Sequence, residues 1–300
     1  MERYKVERKI GEGCFGQVYA ARCVASGSLV ALKKIALSSP DEEGIPFPVA
    51  RELLTLRLVH GHPHVIRLVD VFAHGFSVVL VMEWCETDLA RVLLSHSAAR
   101  PVGVALVRRW MKMLLSAMAH CHAHGVLHRD VKPGNCFLAS DGSLRLGDFG
   151  LSRVSEARSD LSMTHEVATR SYRAPELLLG ATHYGGEVDV WSAGCVLAEL
   201  LRGFGGAVFP GEGDIDQLSM IFTMLGTPTE ASWPLVNLLP DWGKIQFASR
   251  PPKNWRSLLP HAPPTGLDLL ARILVLDPSR RPTAQEALSH PFFLEGQLLV

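Results

Sequence analysis

His128-Arg129-Asp130-Val131-Lys132-Pro133-Gly134-Asn135, followed after a short run by Asp148-Phe149-Gly150, is the stretch whose reading decides the fold. Asp130, Asn135 and Asp148 are two carboxylates and an amide. Their spacing lets one loop bring an acceptor to a hydroxyl and two oxygen ligands to a divalent cation. Any one of them alone reads as part of a polar turn between apolar strands. Two complete motifs in this order imply phosphoryl transfer, with Asn135 and Asp148 as ligands of Mg²⁺.

Composition agrees with a globular enzyme without deciding the matter. The chain has 300 residues, 47% of them hydrophobic, enough for a sizeable core in one large domain or two. Lysines and arginines number 30 against 30 acids, so the formal net charge is zero, which speaks against nucleic acid or a membrane surface as partner. Cys14, Cys23, Cys85, Cys121, Cys136 and Cys195 form no Cys-x-x-Cys pair, which argues against a disulfide framework and a zinc ribbon. The charged start Met1-Glu2-Arg3-Tyr4-Lys5 and a longest apolar run of only strand length, 76–82, predict a reducing, intracellular, soluble setting without signal peptide or membrane span.

Upstream, Ile10-Gly11-Glu12-Gly13-Cys14-Phe15-Gly16 opens into Gln17-Val18-Tyr19-Ala20-Ala21, a β-like segment rather than a helix. Two strands joined by such a turn can close over a triphosphate, because the missing side chains let backbone N–H groups approach the phosphates. The glycine spacing alone equally fits an ordinary hairpin. Leu29 to Ile35 then reads as a buried strand with Lys33 in its interior, which costs free energy unless the ammonium meets an anion. Lys33 suits the α- and β-phosphates. Residues 49–58 have helical spacing, with Leu53, Leu56 and Val59 near one stripe, and Glu52 on that helix is the candidate partner of Lys33. Strands follow near 65–72 and 76–82, then the connector Glu83-Trp84-Cys85-Glu86, and a long helix over 104–124. The cluster His120-Cys121-His122-Ala123-His124 lacks companion ligands at metal spacing, so it is read as a helix end and not a metal site.

With these motifs the chain resembles a eukaryotic protein kinase over nearly its whole length. The resemblance implies an α+β bilobal kinase fold: a small antiparallel-sheet lobe with one long helix (1–83), a hinge (84–87) and a larger, mainly helical lobe (88–300) with its activation segment at 148–176. It implies ATP and Mg²⁺ as cofactors. Asp130 would orient the substrate hydroxyl and Lys132 the γ-phosphate, while Thr169 bonds both and marks serine/threonine specificity. Met82 falls at the gatekeeper, Glu83 and Cys85 where backbone groups meet adenine, Val18, Ala31 and Phe137 on the apolar walls, and Asp88 near the ribose. Phe137 departs from the leucine common at its position. Arg51, Arg129 and Arg153 would converge on a phosphate at Thr164; Asp189 would brace the catalytic loop, and Glu176 would pair with Arg281.

Thr164-His165-Glu166-Val167, Tyr172-Arg173-Ala174-Pro175-Glu176 and the region 209–259 resemble the cyclin-dependent kinase branch, and patterns such as Leu239-Pro240-Asp241-Trp242 resemble its cell cycle-related kinases. The expected reaction is transfer of the γ-phosphate of ATP to serine or threonine before proline, on protein substrates. A cyclin-like activator is an open expectation, because residues 44–52 are not the cyclin-binding signature of the best-known members. Cys14 and Phe15 replace the Thr-Tyr pair that serves as an inhibitory brake there, and Ser171 stands where tryptophan is usual. Cytoplasm and nucleus are the expected locations, with cilium or flagellum by resemblance. The alternative is a nucleotide-binding scaffold with weak or partner-dependent activity.

Overall fold

The computed structural model describes residues 3–13, 16–37, 47–154 and 163–295. Cys14 and Phe15, the segment 38–46 and most of the polar stretch after Val154 therefore lie outside the described residues. The N-terminal half of the architecture is a sheet of β1 (Tyr4–Gly13), β2 (Gly16–Cys23), β3 (Leu29–Ala36), β4 (Leu68–Ala73) and β5 (Ser77–Glu83) in the order β1-β2-β3-β5-β4, every pair antiparallel. Alternation of side chains puts Val30, Leu32, Val79 and Val81 into one buried cluster with Tyr4 and Ala21. β4 starts three residues later than the apolar run suggests. Val65 and Ile66 leave the sheet to join Leu146, Val65 by a parallel bridge and Ile66 by an N–H···O bond of 2.8 Å.

Between β3 and β4 lies α1 (Phe47–Leu58), two residues longer at its start than the helical spacing suggests. It buries Val49, Glu52, Thr55 and Leu56 and leaves Phe47, Leu54 and Leu58 exposed. β5 ends at Glu83, and after 84–86 come β6 (Thr87–Asp88), α2 (Leu89–Leu94), α3 (Val104–Ala123) and β7 (Val126–Leu127). Asp88 caps α2 by accepting the Arg91 N–H at 2.9 Å.

β8 (Cys136–Leu138) and β9 (Leu144–Leu146) form a three-stranded sheet with β6, while β10 (Arg153–Val154) pairs with β7. These short ladders carry the motif residues on their ends. The remaining body is helical: α4 (Pro175–Leu178), α5 (Glu187–Arg202), α6 (Asp214–Leu225), α7 (Trp255–Leu258), α8 (Pro264–Ile273) and α9 (Ala284–Ala287). α5 is mostly apolar and buried on every side from Val188 to Leu200, so it is the axis around which α3, α8 and the loops pack. The result is the expected α+β bilobal fold: antiparallel sheet and α1 on one side of the connector, helices on the other.

Candidate active site

The catalytic loop is held from below by α5. Asp189, fully buried, accepts the backbone N–H of His128 at 2.8 Å and of Arg129 at 2.7 Å, and its Oδ2 meets His122 Nε2 at 2.9 Å. Burial works against the carboxylate charge, but His122 and the backbone donors prevail and hold its pKa below the ordinary value. Arg129 is thereby fixed at φ +65°, a conformation that non-glycine residues adopt only where surrounding bonds impose it.

On this support both carboxylate oxygens of Asp130 are engaged. Oδ1 accepts the Thr169 hydroxyl at 2.9 Å and the Thr169 N–H at 3.0 Å. Oδ2 accepts Lys132 Nζ at 2.8 Å and the Asn135 amide at 2.9 Å. Lys132 Nζ also reaches the Thr169 hydroxyl at 2.8 Å, so the loop and the segment that ends at Glu176 share one network. Asn135 spends its NH₂ on Asp130, on the carbonyl as well as on Oδ2, which turns its amide oxygen elsewhere.

From the opposite side, Lys33 on β3 reaches Glu52 Oε1 of α1 at 2.7 Å and Asp148 Oδ1 at 2.9 Å. Burial opposes the ammonium, yet the two carboxylates more than compensate and raise its pKa. Asp148, although partly buried, is kept below its ordinary value by Lys33 first and then by His128 and Lys132. Burial of Glu52 outweighs the help of Lys33, and its pKa rises. Asp148 itself lies at φ +58°, which aims its carboxylate back toward Lys33. The Lys33–Glu52 contact thus couples α1, β3 and the Asp148 loop.

In the β1–β2 hairpin Gly13 stands opposite Gly16 and Gly11 opposite Val18, and Val18 in turn pairs with Lys33 of β3. Gly16 sits at φ +132°, and a Cβ there would collide with the Lys34 carbonyl oxygen, so only glycine lets the hairpin lie so close to β3. Glu12 bonds Lys9 of its own strand at 2.6 Å and Gln17 across the hairpin at 3.2 Å. Ile10, Val18, Ala31 and Met82 are half-buried, and in the sheet Val18 pairs with Lys33 and Ala31 with Met82. Glu83 is tied to Arg67 by its N–H at 3.0 Å and its carboxylate at 2.8 Å, whereas the Cys85 backbone N–H and C=O have no partner among the described residues. The Cys85 thiol is pushed up to about 12 by burial and then by Glu83, so it stays neutral.

Below the centre, Arg51, Arg129 and Arg153 come together. The Arg51 pKa is lowered by burial and by Arg129 and Arg153, and none of the three has a carboxylate partner among the described residues. Arg129 donates to the Tyr184 hydroxyl at 3.1 Å, and Tyr184 in turn donates to the Thr164 carbonyl at 2.7 Å. Thr164 is exposed beside this cationic group. Arg281 grips Glu176 with two bonds of 2.6 and 2.7 Å.

A protein kinase domain model matches residues 4–293. Cyclin-dependent kinase 20 of Mus musculus is 43% identical over 298 residues, covering 99% of this chain and 85% of that protein. The chain belongs to the protein kinase family, in its cyclin-dependent kinase branch. The kinase is also similar to cyclin-dependent kinase D-1 of Oryza sativa subsp. indica, at 42% identity over 98% of this chain and 67% of the relative. A solved chain in a structure of the CAK complex from Chaetomium thermophilum bound to ATP-gamma-S superposes with a TM-score of 0.88 at 38% identity, covering 98% of this chain and 92% of that one. This chain is a serine/threonine kinase of the cyclin-dependent kinase class.

Several residues that hold the kinase site together have no role assigned by its sequence motifs. His128 lies in the motif, yet its work appears only in the fold: Nε2 meets the Gly147 carbonyl at 3.0 Å, and Nδ1 accepts the Asp130 N–H at 3.2 Å. His122, from the cluster with metal-like composition, braces Asp189, while His120 meets the Val59 carbonyl and His124 its own helix end. Among the described residues no group of histidines, cysteines or carboxylates is arranged to hold a metal by itself. Ser152 and Thr55 share a buried hydroxyl bond of 3.0 Å that ties α1 to the segment after Gly150. No described helix is long and apolar enough to cross a membrane.

Proposed function

We propose that Asp130 positions the serine or threonine hydroxyl, Lys132 meets the γ-phosphate, and Lys33, held by Glu52, meets the α- and β-phosphates. The observation that carries this reading is the saturated Asp130 network, in which Thr169, Lys132 and Asn135 leave the carboxylate one orientation. Asn135 Oδ1 and the Asp148 carboxylate are hard oxygen donors, few in number and next to the phosphates, which is what Mg²⁺ accepts. When bound, Mg²⁺ would neutralise phosphate charge. The chain's own part is alignment, since phosphoryl transfer gains most from position and fixed charge. Ile10, Gly11, Gly13, Gly16, Val18, Ala31, Met82, Glu83, Cys85, Asp88 and Phe137 form the proposed nucleotide slot.

Proline after the acceptor residue follows from Arg173. Its guanidinium takes the carbonyls of Val167 at 2.8 Å and Ala168 at 3.1 Å, with Ala168 at φ +63°. Those acceptors are then withdrawn from a substrate backbone N–H, and proline, which has none, loses nothing. A positional peptide library tests this: Ser-Pro peptides should be turned over faster, and equal turnover of Ser-Ala peptides would reject it.

Thr164 is the proposed switch, its phosphate ordering the segment by charge-assisted bonds to Arg51, Arg129 and Arg153. The outer face of α1 with the β4–β5 turn supports a cyclin-like activator: Phe47 is 71% exposed, Leu54 59% and Phe76 68%. The complex named for the solved relative is consistent with such a partner.

A further inference from the structure

Thr55 and Ser152 carry hydroxyls into the driest part of the molecule, each being 0% exposed. Thr55 stands on the inner face of α1, three residues after Glu52 and on the same stripe. Ser152 follows the tight turn 149–151 that succeeds Asp148. The Ser152 Oγ lies 2.6 Å from the Phe149 carbonyl oxygen and 3.0 Å from Thr55 Oγ1. A carbonyl only accepts and serine has one proton, so that proton goes to Phe149 and the Thr55 hydroxyl donates to Ser152. A threonine inside a helix commonly returns its hydroxyl to its own backbone one turn back. Thr55 instead spends its proton on a segment 97 positions away, and this is its one side-chain bond among the described residues.

The two ends of this relay are held unequally. On the Ser152 side, its own N–H closes the turn on the Phe149 carbonyl at 3.0 Å, Arg129 Nε donates to the Leu151 carbonyl at 2.8 Å, and Arg153 and Val154 pair with β7. Phe149 is itself 0% exposed, its ring centre 4.7 Å from that of His128. That end is therefore fixed to the catalytic loop. The outer face of α1 is open, with Leu54 and Leu58 exposed, so its inner face is what seats it. The Lys33–Glu52 ion pair alone insists little on that seat, because Lys33 keeps Asp148 at 2.9 Å when Glu52 withdraws. A buried hydroxyl that loses its partner has no substitute until water reaches it.

We propose that Thr55 is a positioning residue for phosphoryl transfer: through Ser152 it seats α1 against the catalytic loop and so keeps Glu52 on Lys33. It acts through those two side chains and not on a reacting atom. The proposal rests on the reading of Lys33 and Glu52 as phosphate-positioning groups. To that reading it adds the device by which the chain's own residues order α1, ahead of any partner on the outer face. Displacing α1 breaks the ion pair and the relay together, so the two ties define one element with a seated and a displaced state.

The test compares the native chain, phosphorylated at Thr164 and without added partner, with Thr55→Val, which keeps the shape and removes the hydroxyl, and Thr55→Ser, which keeps the hydroxyl. Amide hydrogen exchange over 53–58 reads the opening of α1 directly. Protection there should fall about fivefold in Thr55→Val, the scale of one neutral hydrogen bond, with α3 and α5 unchanged. The kcat for peptide phosphorylation should fall by about threefold to fivefold while the KM for peptide stays within about twofold, and Thr55→Ser should restore both readouts. Unchanged exchange in Thr55→Val would overturn the proposal. So would faster exchange with an unchanged kcat, or a loss of protection spread equally over α3 and α5, the mark of general destabilisation. Should Thr55→Val fail to fold, Ser152→Ala removes the same bond from the other end and is judged by the same outcomes. Glu52→Gln, measured alongside, should lower kcat by about tenfold or more. Full activity in Glu52→Gln would overturn the Lys33–Glu52 reading and the proposal with it, an outcome that the Thr55 variants by themselves cannot produce.

Discussion

Replacing Glu176 with alanine should destabilise the kinase far more than a surface change, because of what it leaves behind. The Arg281 side chain is 0% exposed and the Glu176 side chain 3%, and the pair is bidentate at 2.6 and 2.7 Å. Removing the carboxylate strands a guanidinium away from water, a loss of about 3–5 kcal/mol for a broken buried pair. Arg281 keeps bonds to the carbonyls of Val275, Glu187 and Leu276 at 2.9, 3.1 and 3.0 Å, and its Cζ remains 4.9 Å from the Trp191 ring centre. Those contacts place the expected loss toward the lower end, about 3–4 kcal/mol. For a chain of 300 residues that lowers Tm by about 5–6 °C. Urea unfolding followed by tryptophan fluorescence measures it. Adding Arg281→Met should recover part of the loss, because no isolated charge remains, although the three carbonyls then lack donors. A Glu176→Ala protein within about 1 kcal/mol of the native one, or losses that simply add in the double variant, would refute the reasoning.

Glu199 makes a pH-dependent prediction. It is 2% exposed, one carboxylate oxygen has no partner, and burial raises its pKa to about 7. An unfolded chain ionises this group near 4.5, so folded stability falls as pH rises from about 4.5 to 7, by roughly 1.4 kcal/mol per pH unit. Glu199→Gln should match the native Tm at pH 5 and exceed it at pH 8; the same offset at both would contradict the assignment. For the switch, Thr164→Ala should have peptide activity lower than the Thr164-phosphorylated protein by about tenfold or more, the equivalent of one charge-assisted bond. Equal activity would remove Thr164 from the regulation of this enzyme.

Much of the fold and site was legible in sequence, and the reasons differ by element. Lys33 could be read as functional because an ammonium inside an apolar strand demands an anion, and Glu52 and Asp148 both answer it. The helix expected over 104–124 is α3, Val104–Ala123, because its apolar stripe is long and uninterrupted. β4 shifted because alternation shows which face is buried and not which neighbour buries it; Val65 and Ile66 serve Leu146 instead. The brace from His122 to Asp189 spans 67 positions, and the Tyr184 link to Thr164 spans 20. Neither leaves a local pattern. Gly147 was silent for another reason: its φ is ordinary, and only Phe137 and Ile66 beside it show how little room a side chain there would have.

The most direct measurement is labelled-phosphate transfer from Mg·ATP to Ser-Pro and Thr-Pro peptides by the Thr164-phosphorylated chain, native against Asp130→Asn. The native protein should transfer phosphate, and the variant should lose about 10²-fold or more, because its amide can no longer accept the substrate proton while bonding Thr169 and Lys132. Undiminished transfer by Asp130→Asn would contradict the central role of that carboxylate, and a native chain that binds ATP but transfers nothing, with candidate cyclins present, would favour a nucleotide-binding scaffold.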